Sequence, residues 1–220
     1  PQTEMLTYYR AVADHSPLPV VLYSVPALTL YDLPIAVIAE LAQHPNIIGI
    51  KDSSGKPKRI AATVEATRFV KRTATVTPTF AAVTRRMLQT QPETPAQTFV
   101  TAEALGQGKT ALAVAAPPVG IKTRQKEIGF SILTGGGSTL HDALKAGATG
   151  AVLSFATCAP QCCYEVWTAW KEGDSGLAEE KQERIRQASI RIGAGMGIPG
   201  LKFACDLNGY YGGRPRLPLL

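Results

Sequence analysis

The chain has 220 residues and a net charge of +6, and 45% of its residues are hydrophobic. This length suits one domain with its own core, and the composition indicates a soluble globular protein. No apolar stretch approaches the roughly 20 residues that a membrane-spanning helix needs, so we expect no membrane association. The four cysteines match neither a disulfide framework nor the ligand spacing of a zinc site. We therefore expect reduced, mostly buried thiols and no metal.

The predicted elements alternate between helix and strand from the start of the chain. A helix ends near residue 14, and a β-branched strand follows at residues 19–23. Asp32 stands before a proline and an apolar helical pattern, so we expect it to cap the next helix. A second buried strand covers residues 46–51, and a helix near residues 57–67 comes after it.

A basic segment then interrupts this order. Residues 68–121 are rich in threonine and proline and show neither a helical period nor strand alternation. Between Arg68 and Arg124, eight Lys or Arg residues stand against two Glu, which accounts for the whole net charge of +6. Nucleic-acid binding would need aromatic residues among these charges on a recognisable fold. We expect instead a poorly structured insert and no nucleic-acid partner.

Strand and helix alternate again after the insert. A strand is predicted at 128–134, a glycine-rich turn and a helix at 139–146, and another strand at 150–157. Three helices are predicted at the end of the chain, near 160–172, 176–194 and 199–207. Four strands in such an order predict parallel βαβ units, an α/β fold. We expect His15, His44 and His141 to be surface or loop residues.

Two strand ends carry candidate chemistry. The strand Asn46-Ile47-Ile48-Gly49-Ile50 is followed by Lys51, and the preceding strand ends in Tyr23. Neighbouring parallel strands end at the same edge of a sheet, where α/β folds place their sites. An amine among apolar neighbours can attack a carbonyl to form a Schiff base, and a phenol beside it can transfer protons.

These motifs resemble one known family, the dihydrodipicolinate synthase/N-acetylneuraminate lyase family of class I aldolases. The resemblance covers residues 4–67 and 122–218 and is similar in detail to the eukaryotic 4-hydroxy-2-oxoglutarate aldolase-like members. The segments that carry it are Leu22-Tyr23-Ser24-Val25-Pro26, Asp32-Leu33-Pro34, Lys51-Asp52-Ser53-Ser54-Gly55, Leu133-Thr134-Gly135-Gly136, Gly147-Ala148-Thr149-Gly150-Ala151-Val152, Gly197-Ile198-Pro199-Gly200-Leu201-Lys202 and Asn208-Gly209-Tyr210-Tyr211-Gly212-Gly213.

The resemblance implies roles for four residues. Lys51 would form the Schiff base with pyruvate or another 2-oxo acid, and Tyr23 would relay the proton. Gly135 and the backbone at Val152 would line the pyruvate pocket. The family's chemistry needs no cofactor, and its full-length members are homo-oligomers.

The resemblance also implies a fold, the C-terminal half of a (β/α)₈ barrel followed by helices. A whole barrel takes ~250 residues and eight strands, whereas four strands are predicted here. The family's early glycine-threonine motif, which holds the pyruvate carboxylate, has no counterpart in this sequence. We therefore expect one partial barrel domain, incomplete at its N-terminus, over residues 1–220. We expect it in the cytoplasm, or in mitochondria if a transit peptide precedes Pro1.

The substrate is predicted from one position after the tyrosine motif. Leu28 stands where the family's dihydrodipicolinate synthases carry an arginine that binds a second carboxylate. An aliphatic side chain cannot make that contact, which favours retro-aldol cleavage of 4-hydroxy-2-oxoglutarate. A 2-keto-3-deoxy sugar acid aldolase, a dihydrodipicolinate synthase-like enzyme and a non-catalytic remnant that binds full-length relatives remain as alternatives.

Overall fold

The computed structural model describes residues 2–76 and 123–219. These residues form two compact units. The larger contains residues 1–71 and 129–220, and the smaller contains residues 72–128. The greater part of the basic segment, residues 77–122, lies outside the described residues.

The larger unit is built around a four-stranded parallel sheet. Its strands are β1 (Val20–Ser24), β2 (Ile47–Asp52), β5 (Ser131–Thr134) and β6 (Gly150–Ala151), and they lie in the order β1-β2-β5-β6. Each neighbouring pair is parallel. The prediction of four strands in parallel βα units is therefore confirmed.

Helices connect and follow these strands. They are α1 (Gln2–His15), α2 (Pro26–Thr29), α3 (Ile35–Leu41), α4 (Pro57–Thr67), α5 (Leu140–Lys145), α6 (Pro160–Lys171), α7 (Ser175–Ala188) and α8 (Gly197–Leu207). Proline occupies the first position of α2, α4 and α6, where its missing N–H leaves no hydrogen bond unmade. The Asp174 side chain caps α7 by accepting a hydrogen bond from the Leu177 N–H.

The core lies between one face of the sheet and the helices. Leu22, Ile50 and Ile132 come from three neighbouring strands and are at most 2% exposed. They belong to one cluster with apolar residues of α3, α4 and α5, including Ile38, Leu41, Ile60, Leu140 and Leu144. Because strand side chains alternate between faces, every second residue of these strands points away from the helices.

The smaller unit contains a two-stranded antiparallel ribbon. Strand β3 (Arg72–Val76) pairs with β4 (Arg124–Ile128). The expectation of an unstructured insert was therefore wrong for residues 72–76. The predicted strand 128–134 was also placed wrongly, since residues 124–128 belong to this ribbon and β5 begins at Ser131. The ribbon was missed because its two strands consist mainly of threonine and charged residues and lack the regular apolar alternation on which strand prediction relies.

Other sequence predictions were wrong in detail. The strand expected at 150–157 is limited to Gly150–Ala151, and a 3₁₀ turn covers Phe155–Thr157. The helix expected at 176–194 changes to a π-helix over Ser189–Gly195. Asp32 does not cap α3, whose N-cap is Pro34 with no side-chain hydrogen bond.

His141 is a larger departure from the predicted surface position. It is 1% exposed, and its Nδ1 lies 2.7 Å from a carboxylate oxygen of Glu179. This hydrogen bond lowers the pKa of Glu179 below its ordinary range. The cysteines behave as expected: all four are free thiols, with Cys162 exposed and Cys158, Cys163 and Cys205 buried. No helix among the described residues is long and apolar enough to cross a membrane.

Candidate active site

Tyr23 and Lys51 lie side by side in the sheet. They are direct register partners of β1 and β2, and Leu133 of β5 continues the same row beyond Lys51. We call Tyr23, Lys51 and Leu133 the open-face row, because these side chains point away from the helices and none is buried. The sequence prediction that the two strand ends meet at one edge is confirmed.

The amine of Lys51 lies directly against the tyrosine. Its Nζ is 4.2 Å from the centroid of the Tyr23 ring, within the range of a cation–π contact. Tyr23 is 47% exposed, so the pair is accessible from the open face of the sheet. An amine and a phenol are thus held together where a small carbonyl compound can approach both.

Ser53 is a third polar group of this site, and the sequence analysis assigned it no role. Hydrogen bonding by its hydroxyl to the ionised phenol is the main cause that lowers the pKa of Tyr23; Lys51 lowers it further. The Ser53 N–H donates to the Ser24 carbonyl at 2.9 Å, which ties the loop after β2 to the end of β1. The sequence signal that could have identified Ser53 is its position two residues after Lys51, the candidate nucleophile.

Gly135 packs against this serine. A Cβ atom at Gly135 would lie 2.1 Å from the Ser53 hydroxyl oxygen, closer than any side chain could remain. The Gly135 N–H donates to the Asp52 carbonyl at 2.7 Å. The glycine therefore lets the turn after β5 approach the loop that follows Lys51. A role of Gly135 in lining a pyruvate pocket stays a prediction.

Val152 lies further along the sheet, directly after β6. Its N–H donates to the Thr134 carbonyl at 2.9 Å, so this group is engaged in strand pairing. β5 separates β6 from the strand that carries Lys51. A role of the Val152 backbone in lining a pocket stays a prediction.

A second row of polar side chains lies on the other face of the same strand ends. Ser24, Asp52 and Thr134 are register partners, and each is at most 3% exposed. They share a strand face with the core residues Leu22, Ile50 and Ile132. We call Ser24, Asp52 and Thr134 the helix-face row. Sequence reasoning missed it because a polar strand end gives no sign of which face it occupies.

Arg59 of α4 neutralises this buried row. Its Nε donates to Asp52 Oδ2 at 2.7 Å, and its Nη2 lies 3.2 Å from Asp32 Oδ1. The other Asp52 oxygen accepts a hydrogen bond from the Ser54 N–H at 2.9 Å. Asp32 also accepts a bond from the Ser24 hydroxyl. The carboxylate expected to cap α3 is therefore an acceptor in an ion-pair network behind the site.

The described residues contain no cluster of three or more His, Cys, Asp or Glu side chains arranged to hold a metal ion. The reactive groups brought together here are an amine, a phenol and a hydroxyl. Such a set suits proton transfer and attack on a carbonyl carbon.

Comparison with protein families decides the classification. The model of the dihydrodipicolinate synthetase family matches residues 1–71 and 113–220. The chain belongs to this family. Tyr23, Lys51, Ser53, Gly135 and Val152 all lie within the matched stretches.

Curated relatives agree with this membership. The 4-hydroxy-tetrahydrodipicolinate synthase of Acidiphilium cryptum is 27% identical over 218 residues, which are 99% of this chain and 54% of the relative. The enzyme of the same name from Xanthomonas campestris is 48% identical over 71 residues, 31% of this chain and 24% of the relative. The chain thus spans about half the length of the first of these dihydrodipicolinate synthetase family members.

Solved structures of the family share the fold. A dihydrodipicolinate synthase-like protein of Thermus thermophilus superposes with a TM-score of 0.63 at 27% identity, covering 98% of this chain and 54% of that protein. A prophage protein of E. coli K12 from the same family, solved with pyruvate, gives 0.65 at 22% identity, covering 100% and 57%. These neighbours have the family's α/β barrel architecture, to which the described sheet and helices correspond.

Proposed function

We propose that this chain carries the Schiff-base centre of a pyruvate-dependent class I aldolase or lyase, with Lys51 as the nucleophile. The observation that carries the proposal is the position of Lys51 Nζ, which lies 4.2 Å from the Tyr23 ring centre on the open face of the sheet. Family membership supports it, since members are lyases and synthases of the aldolase type. One family neighbour was solved with pyruvate.

The chemistry follows from the groups present. The neutral amine of Lys51 attacks the C2 carbonyl of a 2-oxo acid, and the resulting carbinolamine loses water to give an iminium. The iminium withdraws electrons from the adjacent carbon, so a carbon–carbon bond there can break or form. Carbinolamine dehydration and the bond-breaking step both need a proton carrier, and the Tyr23 phenol lies beside the amine.

The environment of Tyr23 suits that task. Its hydrogen bond with Ser53 and the nearby Lys51 charge lower its pKa, so the phenol is a stronger acid than free tyrosine. A proton carrier is most effective when its pKa approaches the working pH. Ser53 and Lys51 both lower the pKa of Tyr23 and so bring it closer to the working pH.

For the substrate we propose 4-hydroxy-2-oxoglutarate or a related 2-oxo acid, cleaved to pyruvate and an aldehyde. Leu28 is 80% exposed at the position where an arginine would bind a second carboxylate in the synthases. A dihydrodipicolinate synthase-like condensation fits no worse, since the curated relatives described above bear that name. A 2-keto-3-deoxy sugar acid is a further candidate.

We propose that Tyr23 and Lys51 form half of a site whose remaining groups come from further polypeptide. The chain spans 54% of a curated relative, and Tyr23 of the open-face row is 47% exposed. Homo-oligomers or association with full-length relatives would supply those groups. A protein that only associates in this way, without catalysis, is the alternative.

Reductive trapping tests the proposal. Incubation with pyruvate and borohydride should add the mass of reduced pyruvate at Lys51, read by peptide mass spectrometry. Lys51→Ala should abolish the adduct, because alanine has no amine. Lys58→Ala is the matched control, since Lys58 is an exposed lysine of α4 outside the Tyr23 pair, and it should be trapped as efficiently as the native chain.

Two outcomes decide between the catalytic and the associating protein. An adduct confined to Lys51 supports the Schiff-base centre. A folded chain in which Lys51 remains unmodified at saturating pyruvate contradicts it. Release of pyruvate from 4-hydroxy-2-oxoglutarate, compared with condensation of pyruvate and aspartate semialdehyde, then separates the two substrate proposals.

A further inference from the structure

Arg59 is the one arginine of α4 itself, and its guanidinium is directed into the protein. Its side chain is 12% exposed, whereas that of Arg68, directly after the helix, is 73% exposed. Its Nε donates to Asp52 and its Nη2 donates to the Leu33 carbonyl at 2.5 Å, besides the contact with Asp32. So large a buried cation depends on these partners, because removal of one of them would leave an uncompensated charge in the protein.

The partners of Arg59 lie in two different loops. Asp52 is the last residue of β2, directly after Lys51, whereas Asp32 and Leu33 belong to the segment that follows β1 and α2. Arg59 therefore bridges the connections that leave the two strands carrying Tyr23 and Lys51. A planar guanidinium holds both carboxylates at once with donors in a fixed fork, a geometry that the single nitrogen of an ammonium does not reproduce.

Asp52 connects Arg59 to the loops that surround the site. Its carbonyl accepts the hydrogen bond of Gly135 N–H, and its side chain binds the Ser54 N–H. Ser53 lies between these contacts, and its N–H donates to the carbonyl of Ser24, the residue after Tyr23, at 2.9 Å. The position of Ser53 beside Tyr23 therefore depends on a carboxylate that Arg59 holds on the opposite face of the sheet.

We propose that Arg59 is a positioning residue of the Schiff-base centre, which by its bridge between Asp52 and Asp32 fixes Lys51, Ser53 and Tyr23 in contact. The inference rests on the proposed function of Lys51 and deepens it. Arg59 does not bind the carboxylate of the substrate, because the protein's own carboxylates occupy its Nε and Nη2.

Arg59→Lys tests this inference, with Arg68→Lys as the matched control. Lysine keeps the positive charge but lacks the fixed fork of donors that bridges the two carboxylates, so any change reports geometry. Arg68 forms an exposed ion pair with Glu65, three residues earlier, and the same substitution there should change nothing. Thermal unfolding of each full-length variant checks that it is folded.

Two measurements read the result. The pKa of Tyr23, followed by NMR of ¹³C-tyrosine and assigned with Tyr23→Phe, should rise toward its ordinary value in Arg59→Lys. The borohydride trapping rate at saturating pyruvate should fall, by up to about a hundredfold if the amine is displaced by about 1 Å. The pyruvate concentration that gives half the maximal rate should stay unchanged.

The opposite results overturn the proposal. An increased half-saturating pyruvate concentration with an unchanged Tyr23 pKa would make Arg59 a substrate ligand. Unchanged trapping and an unchanged Tyr23 pKa would leave it a structural residue only.

If Arg59→Lys does not fold, Asp32→Asn is used instead. The Asp32 side chain is 36% exposed, so we expect this variant to fold. The Tyr23 pKa should again rise and the trapping rate should again fall, each by less than in Arg59→Lys. If either shift is missing in folded Asp32→Asn, the bridge does not position the site. If native Lys51 is never trapped, the proposed function fails, while the Tyr23 titration still tests the bridge.

Discussion

The open-face row and the helix-face row come from the same three strand ends but have opposite surroundings. Tyr23 is 47% exposed, whereas Ser24, the next residue, is 3% exposed. Lys51 contacts an aromatic ring at the surface, whereas Asp52 is buried against an arginine. One step along a pleated strand thus separates groups available for chemistry from groups that hold the strand ends together.

The largest expected difference between the rows is in stability. Asp52→Ala removes the partner of a guanidinium that is 12% exposed, and breaking a buried ion pair in this way should cost about 3 kcal/mol of unfolding free energy. Lys51→Met, one residue earlier on the open face, should change it by about 0.5 kcal/mol or less. Chemical denaturation of both variants checks this, and equal losses would contradict the distinction between the rows.

The contact between Gly135 and Ser53 should give the next effect. Gly135→Ala places a Cβ atom 2.1 Å from the Ser53 hydroxyl oxygen, so the loop after β2 must move, at a cost of about 1–3 kcal/mol. Gly193→Ala is the control, because its Cβ would meet nothing within 4 Å. Adding Ser53→Gly to Gly135→Ala should restore much of the stability, and no recovery would mean that the strain lies elsewhere.

The smallest expected effect is a change in the pKa of Tyr23, a member of the open-face row. Ser53→Ala should raise the pKa of Tyr23 toward its ordinary value, since the Ser53 hydrogen bond is the main cause that lowers it. Lys51→Met should raise it as well, because both the hydrogen bonding and the charge of Lys51 lower it. The spectrophotometric difference between each variant and its Tyr23→Phe derivative measures both, and an unchanged Tyr23 pKa in Ser53→Ala would contradict the role of that hydroxyl.

The sign of the pH dependence follows from the lowered pKa of Tyr23. The folded state favours the phenolate, so the stabilisation is fully present above the unfolded pKa of about 10. It is lost as the pH falls through the folded pKa. Tyr23→Phe and the native chain should therefore differ increasingly in stability as the pH rises toward 10.

Local sequence patterns predicted the parallel sheet and its leading pair of site residues. β-Branched runs before Tyr23 and Lys51 indicated two strands, and a βα connection between them made them neighbours in the sheet. Patterns failed where pairing partners are distant. The strand Arg72–Val76 depends on Arg124–Ile128, and neither shows the apolar alternation on which a prediction relies.

Polar residues show the same limit. Asp32 has the local context of a helix cap, but Arg59, 27 positions later, binds it instead. His141 looked isolated in sequence, and Glu179 of α7 pairs with it. Burial and ion pairing depend on which helices pack together, and a single sequence without that packing gives no access to them.

For this dihydrodipicolinate synthetase family member, the sequence by itself determined four strands in parallel βα units and the adjacent amine and phenol. Both follow from short-range alternation and from residues close along the chain, whereas the family was predicted from the resemblance of its motifs. Only the tertiary structure showed that Ser53 lowers the pKa of Tyr23, and that Arg59 joins Asp52 to Asp32 behind them. The physical reason is that a strand's pleat decides which of two neighbouring polar residues is buried, and only packing supplies the buried one with its partner.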